Sequence, residues 1–450
     1  MLKVIGIDGG TLDLIKRWRK SLPAFNEILN NGAYGVMQST IPPITCPAWP
    51  AMFTGKNPGK LGMFDFVNGE RAHTLEDYHE KTLWYDLSKK GATVGLLNIP
   101  ITYPPLPVNG YMVSGLGTPE ALNVDYTYPA SMKLENYKIT PAVLLNSANQ
   151  EDKIIKAVMP VLKRRIEVAE YLMDNYPTDL FICVFFATDI VQHYFWRFID
   201  KKHPNHEDKY QDVILNVYKM IDKFVGKQLQ TGTTFIVSDH GFGSCYGEFG
   251  VNEWLRYNGY LNYKTTDKLI YKLRDALVSG MSPKVLQSVM KAMPENIKNR
   301  LNTSGESISN YKNLMDNLDG SIAYSVGSAT GGIYIKEDKD IIISLLQGLG
   351  FNCIKKEDVY SGPYLNIAPD VFIEMGSSVY YPKAYAPNVW TSTVISGSHK
   401  KEGLFMAYGD GVKQKEIDIN IYDILPTIYS KLNIEAPQDI DGKVIDAIHR

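Results

Sequence analysis

Thr234-Phe-Ile-Val-Ser-Asp-His-Gly-Phe-Gly243 is a short apolar run that breaks into an acid, an imidazole and two glycines. A β-branched and aromatic run of this length, closed by turn formers, predicts a buried strand. Asp239 and His240 then stand at its carboxyl end, where open α/β sheets place their ligands. A carboxylate beside an imidazole suits a hard-to-borderline dication, and the glycines let the backbone come close to whatever is bound. Taken alone, the pair also reads as a surface acid and a packed histidine on a turn, so the rest of the chain decides.

The same design occurs twice more. Residues 4–7 form a short apolar run that ends in Asp8-Gly-Gly10. Residues 180–186 are the most continuous apolar run in the chain, as a strand buried on both faces should be, and they end at Ala187-Thr-Asp189. In Asp189-Ile-Val-Gln-His193 the i,i+4 spacing puts a carboxylate and an imidazole on one helical face. His193, among Tyr194, Phe195 and Trp196, would otherwise pass for an ordinary packed histidine. Further strands are predicted near Gly332–Ile335, 371–373 and 404–407. Between the last two, Ser396-Gly-Ser-His399 reads as a small-residue loop presenting one histidine.

Between these strands lie helical patterns. Residues 22–29 have helical spacing and stop at Asn31-Gly32, a C-cap signal. A long amphipathic pattern runs through Ile154, Val158, Leu162, Ile166 and Leu172, with Lys163-Arg-Arg165 expected on its solvated face. Another covers residues 210–229. Strands alternating with helices in this way predict an α/β fold: a doubly wound, mostly parallel sheet with helices on both faces. Residues 116–150 carry little periodicity and are expected to be an insertion. The Lys/Asn/Ser-rich stretch 262–320 is expected to be a helical, cap-like insertion into one catalytic domain built from 1–261 and 321–450.

In Ile41-Pro-Pro-Ile-Thr45-Cys-Pro-Ala-Trp-Pro-Ala-Met-Phe-Thr54-Gly55, paired prolines stiffen the approach and Thr45 stands where an N-cap belongs. That puts a hydroxyl at the positive end of a helix, beside backbone N–H groups that favour an anion. The following Gly55-Lys-Asn-Pro-Gly-Lys60 lacks the spacing of a phosphate-binding P-loop, since Leu61 follows Lys60. It reads as a turn whose Lys56 and Lys60 could face a substrate.

Composition sets outer bounds. With 450 residues, 44% hydrophobic and 21% charged, the chain is an ordinary globular protein large enough for one big α/β domain with insertions. A net charge of −2 offers no electrostatic footprint for a nucleic acid polymer or an anionic membrane. Cys46, Cys183, Cys245 and Cys353 are far apart and form no C-x-x-C pair, which argues against a zinc ribbon. No run approaches the length of a membrane span, and Met1-Leu-Lys-Val enters a strand without a leader-like pattern, so a cytoplasmic setting is expected. Oligomeric state is not legible.

Asp8-Gly-Gly-Thr11 resembles the first phosphate loop of the sugar-kinase and actin fold, but that fold calls for a second Asp-Gly-Thr loop, and Asp239-His-Gly stands there instead. The ordered set Asp8-Gly, Thr45 followed by Thr54-Gly55, Asp189-x3-His193, Asp239-His240-Gly241 and Gly397-Ser-His399 resembles the alkaline phosphatase superfamily. Within it, the set is most similar to the type I phosphodiesterase and nucleotide pyrophosphatase branch. The likeness continues to Asp423-Ile-Leu-Pro-Thr427 and Asp441-Gly442.

This resemblance implies two divalent ions, usually zinc, although Asp/His mixtures also accept manganese or iron. One would be held by Asp8, Asp239, His240 and the Thr45 oxygen, the other by Asp189, His193 and His399. It further implies that Thr45 attacks phosphorus and that water then hydrolyses the phosphothreonine. Two dications can clamp the attacking and leaving oxygens of an in-line displacement. The expected substrate is a small-molecule phosphate ester or nucleotide, cleaved at a phosphodiester or pyrophosphate bond. Phosphomutase or phosphomonoesterase chemistry on the same scaffold is the alternative, and a non-catalytic metal- or phosphate-binding module a third.

Two departures bear on this. The family's phosphoryl-contacting asparagine falls near Asp65-Phe66 here, which leaves room for a monoester served by Lys56 and Lys60. Cys46-Pro47-Ala48-Trp49 lacks the spacing and the arginine of the related sulfatases.

Overall fold

Strand β1 (Leu2–Ile7) lies between β6 (Leu180–Phe185) and β7 (Thr233–Val237), parallel to both, at the centre of the main sheet. The structure is a computed structural model that describes residues 1–69, 71–119, 124–141, 151–262, 320–327, 331–376, 379–384, 386 and 388–448. Beyond β6 follow β3 (Val94–Ile99) and β4 (Gly110–Ser114), again parallel, and then β5 (Thr127–Tyr128), antiparallel. On the other flank, strand Glu402–Gly409 runs antiparallel between β7 and β2 (Ala33–Gln38). Short strands Lys415–Glu416 and Ile419–Asn420 finish that edge.

Alternation along the strands builds two cores. Ile5 and Ile7 of β1, with Phe181, Cys183 and Phe185 of β6, face one layer of helices. Leu2 and Val4, with Leu180, Ile182 and Val184, face the other. This two-sided burial is why these strands read as continuous apolar runs. Helices Pro23–Asn31, Glu151–Asn175, Ala187–Phe195 and Val213–Gln228 cover the first face. Thr45–Thr54, Leu83–Lys89 and Ile424–Lys431 cover the second. The expected doubly wound sheet with helices on both faces is what forms.

A smaller antiparallel sheet of Ala323–Ser325, Gly332–Ile335, Val371–Glu374 and Asn352–Lys355 has its own core around Ile333, Leu346, Phe351 and Val371. The cap expected over 262–320 lies outside the described residues apart from its two end positions. Of the insertion expected over 116–150, residues 120–123 and 142–150 are likewise outside, while Thr127–Tyr128 extends the main sheet.

Several local expectations are refined or corrected. Gly32 does cap its helix as expected, though in extended backbone, its amide bonding the Ile28 carbonyl, and a Cβ there would lie 2.4 Å from the Ala407 carbonyl oxygen. Arg165 is not on a solvated face: it is buried and donates to the Lys138 carbonyl at 2.9 Å, to the Ile139 carbonyl and to the Tyr137 hydroxyl. It thereby fastens the 124–141 segment to the long helix. The expected loop at His399 is strand Gly397–Lys400, paired antiparallel with β8 (Gly241–Ser244).

Candidate active site

Because β7, β1 and β6 are adjacent and parallel, their carboxyl ends share one rim. Asp8 directly follows β1, and Asp239 follows β7 by two residues. Asp189 is the third residue of the helix entered from β6. All three side chains are buried, as is His240. The β8 pairing sets His399 opposite Phe242, whose ring packs against His193 at 4.8 Å and His399 at 5.2 Å between centroids. Residues as distant in the chain as Asp8 and His399 therefore meet through strand order and one long-range pairing.

Two clusters result. In one, His399 Nε2 lies 3.2 Å from Asp189 Oδ1 and 3.0 Å from His193 Nε2, with His193 Nε2 3.5 Å from the same carboxylate oxygen. In the other, His240 Nε2 lies 3.3 Å from Asp239 Oδ2 and 3.6 Å from Asp8 Oδ1. The His240 and His399 rings stack at 3.8 Å, which joins the clusters. The sequence assigned Asp189 to the His193/His399 set alone, but the structure also groups it with Asp8 and His240 within metal-binding reach.

The histidine tautomers are fixed by backbone carbonyls. Nδ1 of His193 faces the Gly397 carbonyl at 2.9 Å, that of His399 the Pro43 carbonyl at 3.2 Å, and that of His240 the Gly241 carbonyl at 3.2 Å. A carbonyl only accepts, so each Nδ1 carries the proton and each Nε2 turns a lone pair toward the carboxylates. Lone pairs this close call for a positive charge among them, which a proton on an imidazole or a bound cation supplies. Among the described residues, Asp8 Oδ1, Asp239 Oδ2 and His240 Nε2 are buried with no hydrogen-bond partner. Those converging orphaned acceptors fit a divalent cation.

The electrostatics agree. Burial pushes the Asp8 carboxyl well above its ordinary range, with the charges of Asp239 and Asp189 adding to the rise. Burial likewise raises Asp239, opposed by the Gly9 amide and reinforced by Asp189. It lowers His240, and His399 pushes the same way. Burial alone would raise Asp189, but His193 and His399 hold it below the usual carboxylate range. For His193, burial is outweighed by Asp189 and the shift is upward.

Supporting residues went unnoticed in the sequence. Trp49 Nε1 donates to Asp8 Oδ2 at 3.0 Å, one turn along the helix from Thr45, an i,i+4 spacing that could have been read. Thr188 Oγ1 donates to the Asp8 carbonyl at 2.5 Å, and Gln192 Nε2 to the Gly9 carbonyl at 2.8 Å. Gly9 adopts φ +66° and its amide donates to Asp239 Oδ1 at 3.1 Å. A Cβ on Gly9 would lie 2.7 Å from the Phe242 ring.

Thr45 is buried, and it is the first residue of its helix and not the cap; Ile44 holds the cap position without a side-chain bond. Helix geometry leaves the amides of Thr45 and Cys46 without intrahelical acceptors, and Pro47 has no N–H. The Pro43 and Trp49 contacts tie the Thr45 segment to His399 and Asp8 respectively. Lys56 and Lys60 are corrected: they lie beyond the far end of this 10-residue helix, about 14 Å along its axis from Thr45. Lys56 pairs with Asp439 at 2.6 Å, and Lys60 with Asp439 at 2.8 Å and Asp441 at 2.7 Å. Asp65 is buried; its carboxylate accepts from the Phe66 amide at 2.6 Å and its charge reaches Cys46 and Tyr381.

Comparison with known proteins adds a family to this geometry. The profile described as type I phosphodiesterase / nucleotide pyrophosphatase matches residues 2–349. No curated protein matches the chain. Human ectonucleotide pyrophosphatase / phosphodiesterase 5 is similar in structure, with TM-score 0.51, 15% identity and coverage of 98% of this chain and 97% of that one. The murine protein gives TM-score 0.51 and 15% identity over 97% and 96%. So does its inactive threonine-to-alanine variant, solved in complex with AMP, again at TM-score 0.51, 15% identity, and 97% and 96%. At that identity the likeness concerns the fold.

Proposed function

The chain belongs to the type I phosphodiesterase / nucleotide pyrophosphatase family, with its alkaline-phosphatase-like fold, and on that premise we propose a metal-dependent phosphohydrolase that works through a phosphothreonine at Thr45. The bond cleaved is a phosphodiester or pyrophosphate in a small-molecule ester or nucleotide. The observation that carries this reading is the set of orphaned, buried acceptors on Asp8, Asp239 and His240, beside the cluster of Asp189, His193 and His399 within metal-binding reach of one another.

In this reading Asp8, Asp239, His240 and the Thr45 oxygen hold one divalent ion, and Asp189, His193 and His399 hold another, zinc being favoured by the mixed nitrogen and oxygen donors. Such ions would supply Lewis acidity and lower the pKa of bound oxygen. The chain's own residues do the rest. Trp49 fixes the Asp8 carboxylate, and the backbone carbonyls of Gly397, Pro43 and Gly241 orient the imidazoles. Thr45, at the head of its helix, would attack phosphorus, and the amides of that first turn suit a phosphoryl oxygen. The murine relative's inactive threonine-to-alanine variant with AMP supports both the residue type and a nucleotide-like substrate.

Among the described residues no helix is long and apolar enough to cross a membrane. A cytoplasmic setting is part of the proposal, supported by four unpaired cysteines of which three are buried.

Thr45→Ala tests the mechanism. With a chromogenic phosphodiester and metal-loaded protein, turnover should fall by roughly 10³-fold or more, to the background of Asp239→Asn. Turnover retained above that background would remove Thr45 from the nucleophile role.

A further inference from the structure

Between the segment leading into Thr45 and the smaller sheet lies a cavity of about 400 Å³. Pro42, Pro43 and Ile44 line one part of it, and Ile373, Met375 and Pro382 another. His399 borders it as well. The cavity thus adjoins both the residue before Thr45 and one of the three side chains of the Asp189 cluster.

Its charged groups are mixed in sign. Lys400 and Lys401, directly after His399, border it together with Glu374 and Glu402. Glu374 is partly buried, and Asn352 Nδ2 donates to its Oε2 at 3.0 Å. Burial pushes the Glu374 carboxyl up, the charge of Lys401 pulls it down and that of Glu402 adds to the rise, so all three charges are felt at one place. A polyanionic group entering here meets two carboxylates along with two ammonium groups, and its net attraction is small. A group with an apolar body and hydrogen-bond donors gains contact with the prolines, Ile44, Ile373 and Met375, and gains an acceptor at Glu374.

We propose that this cavity receives the leaving alcohol of a phosphodiester, and that Glu374 selects a hydroxyl- or amine-bearing organic alcohol over pyrophosphate. This rests on reading the neighbouring site as a phosphothreonine-forming centre. There, Thr45 Oγ1 bonds to phosphorus and its proton passes to solvent. The bond from phosphorus to the alcohol oxygen breaks, and that oxygen leaves with the electron pair and takes a proton from water. In an in-line displacement it emerges away from Thr45, on the side given to Asp189, His193 and His399, and His399 borders the cavity.

The test uses the metal-loaded full chain and two substrates that share one retained group, the glycerol ester of AMP and ATP, which release glycerol and pyrophosphate. Glu374→Gln keeps an acceptor for Asn352 but removes the charge. It should shift the ratio of kcat/KM values toward ATP by about tenfold or more, as a single nearby charge does at the dielectric of a partly buried site. Lys401→Met should shift the ratio the opposite way, and it carries the sign test alone if Glu374→Gln does not fold. A ratio that neither variant moves, with both substrates turned over, overturns the cavity assignment and leaves the phosphohydrolase reading standing. Failure of the wild-type protein to cleave either substrate refutes both.

Discussion

Without bound metal, the protein should be less stable at neutral pH than its own Asp239→Asn variant. Asp239 Oδ1 accepts from the Gly9 amide at 3.1 Å, and asparagine keeps that bond, while Oδ2 has no hydrogen-bond partner among the described residues and is fully buried. In the unfolded chain Asp239 titrates as an ordinary carboxylate, whereas in the metal-free fold its pKa is raised by burial and by the Asp189 charge. A raised folded-state pKa contributes stability that is fully present below the unfolded pKa and is lost as pH rises through the folded one. Metal-free wild type should therefore match Asp239→Asn near pH 4 and fall behind it as pH rises. A buried charged atom left unsatisfied costs roughly 1–3 kcal/mol or more, and the gap at pH 8 should be of that order. Thermal unfolding in chelator across this range, run on both proteins, measures it. Adding zinc should reverse the order at pH 8, since only the wild type offers the full donor set. A metal-free wild type as stable as the variant at every pH would mean that Oδ2 is not an orphaned ligand, and the two-cation reading of this rim would fail with it.

The supporting contacts make further predictions. Trp49→Phe removes the indole N–H that lies 3.0 Å from Asp8 Oδ2, and zinc affinity in a metal-buffered titration should drop by about 10- to 100-fold, as for other residues that orient a ligand. Unchanged affinity would show that Asp8 is held in place without it. Gly9→Ala puts a methyl 2.7 Å from the Phe242 ring at a residue with φ +66°, so roughly 2 kcal/mol or more of stability should be lost, together with zinc stoichiometry at the Asp239 side. Calorimetry and metal analysis of the purified variant check both.

What the sequence made legible follows from how local each signal is. Asp8, Asp189 and Asp239 could be found because a buried parallel strand writes itself as a continuous apolar run, and its end marks the ligand rim. The strand order that brings those ends together leaves no local trace, nor does the pairing of β8 with Gly397–Lys400 that delivers His399. The placement of Lys56, Lys60 and Arg165 leaves no local trace for the same reason. Their partners, Asp439, Asp441 and the carbonyls of Lys138 and Ile139, come from other segments, and a cation's sequence neighbours do not reveal whether it faces solvent, a substrate or another part of the fold.

The least legible feature is the coupling of the two clusters. Helical spacing gives the reason for Asp189 and His193 but none for Gln192 between them, a polar side chain with no exposure in a position that packing alone would make apolar. Its amide is satisfied on both sides: Nε2 donates to the Gly9 carbonyl at 2.8 Å, and Oε1 accepts from Thr11 Oγ1 at 3.3 Å and the Tyr218 hydroxyl at 3.4 Å. Thr188, from the same helix, holds the Asp8 carbonyl, and the Gly9 amide in turn holds Asp239. The helix that carries one set of ligands therefore fixes the turn that carries the other. A rotation of that helix would move Asp8 and Asp239 along with Asp189 and His193, so the distance between the two sets is tied to these buried hydrogen bonds. The spacing between the two side-chain sets is then a property of the folded chain, set by the same helix and turn.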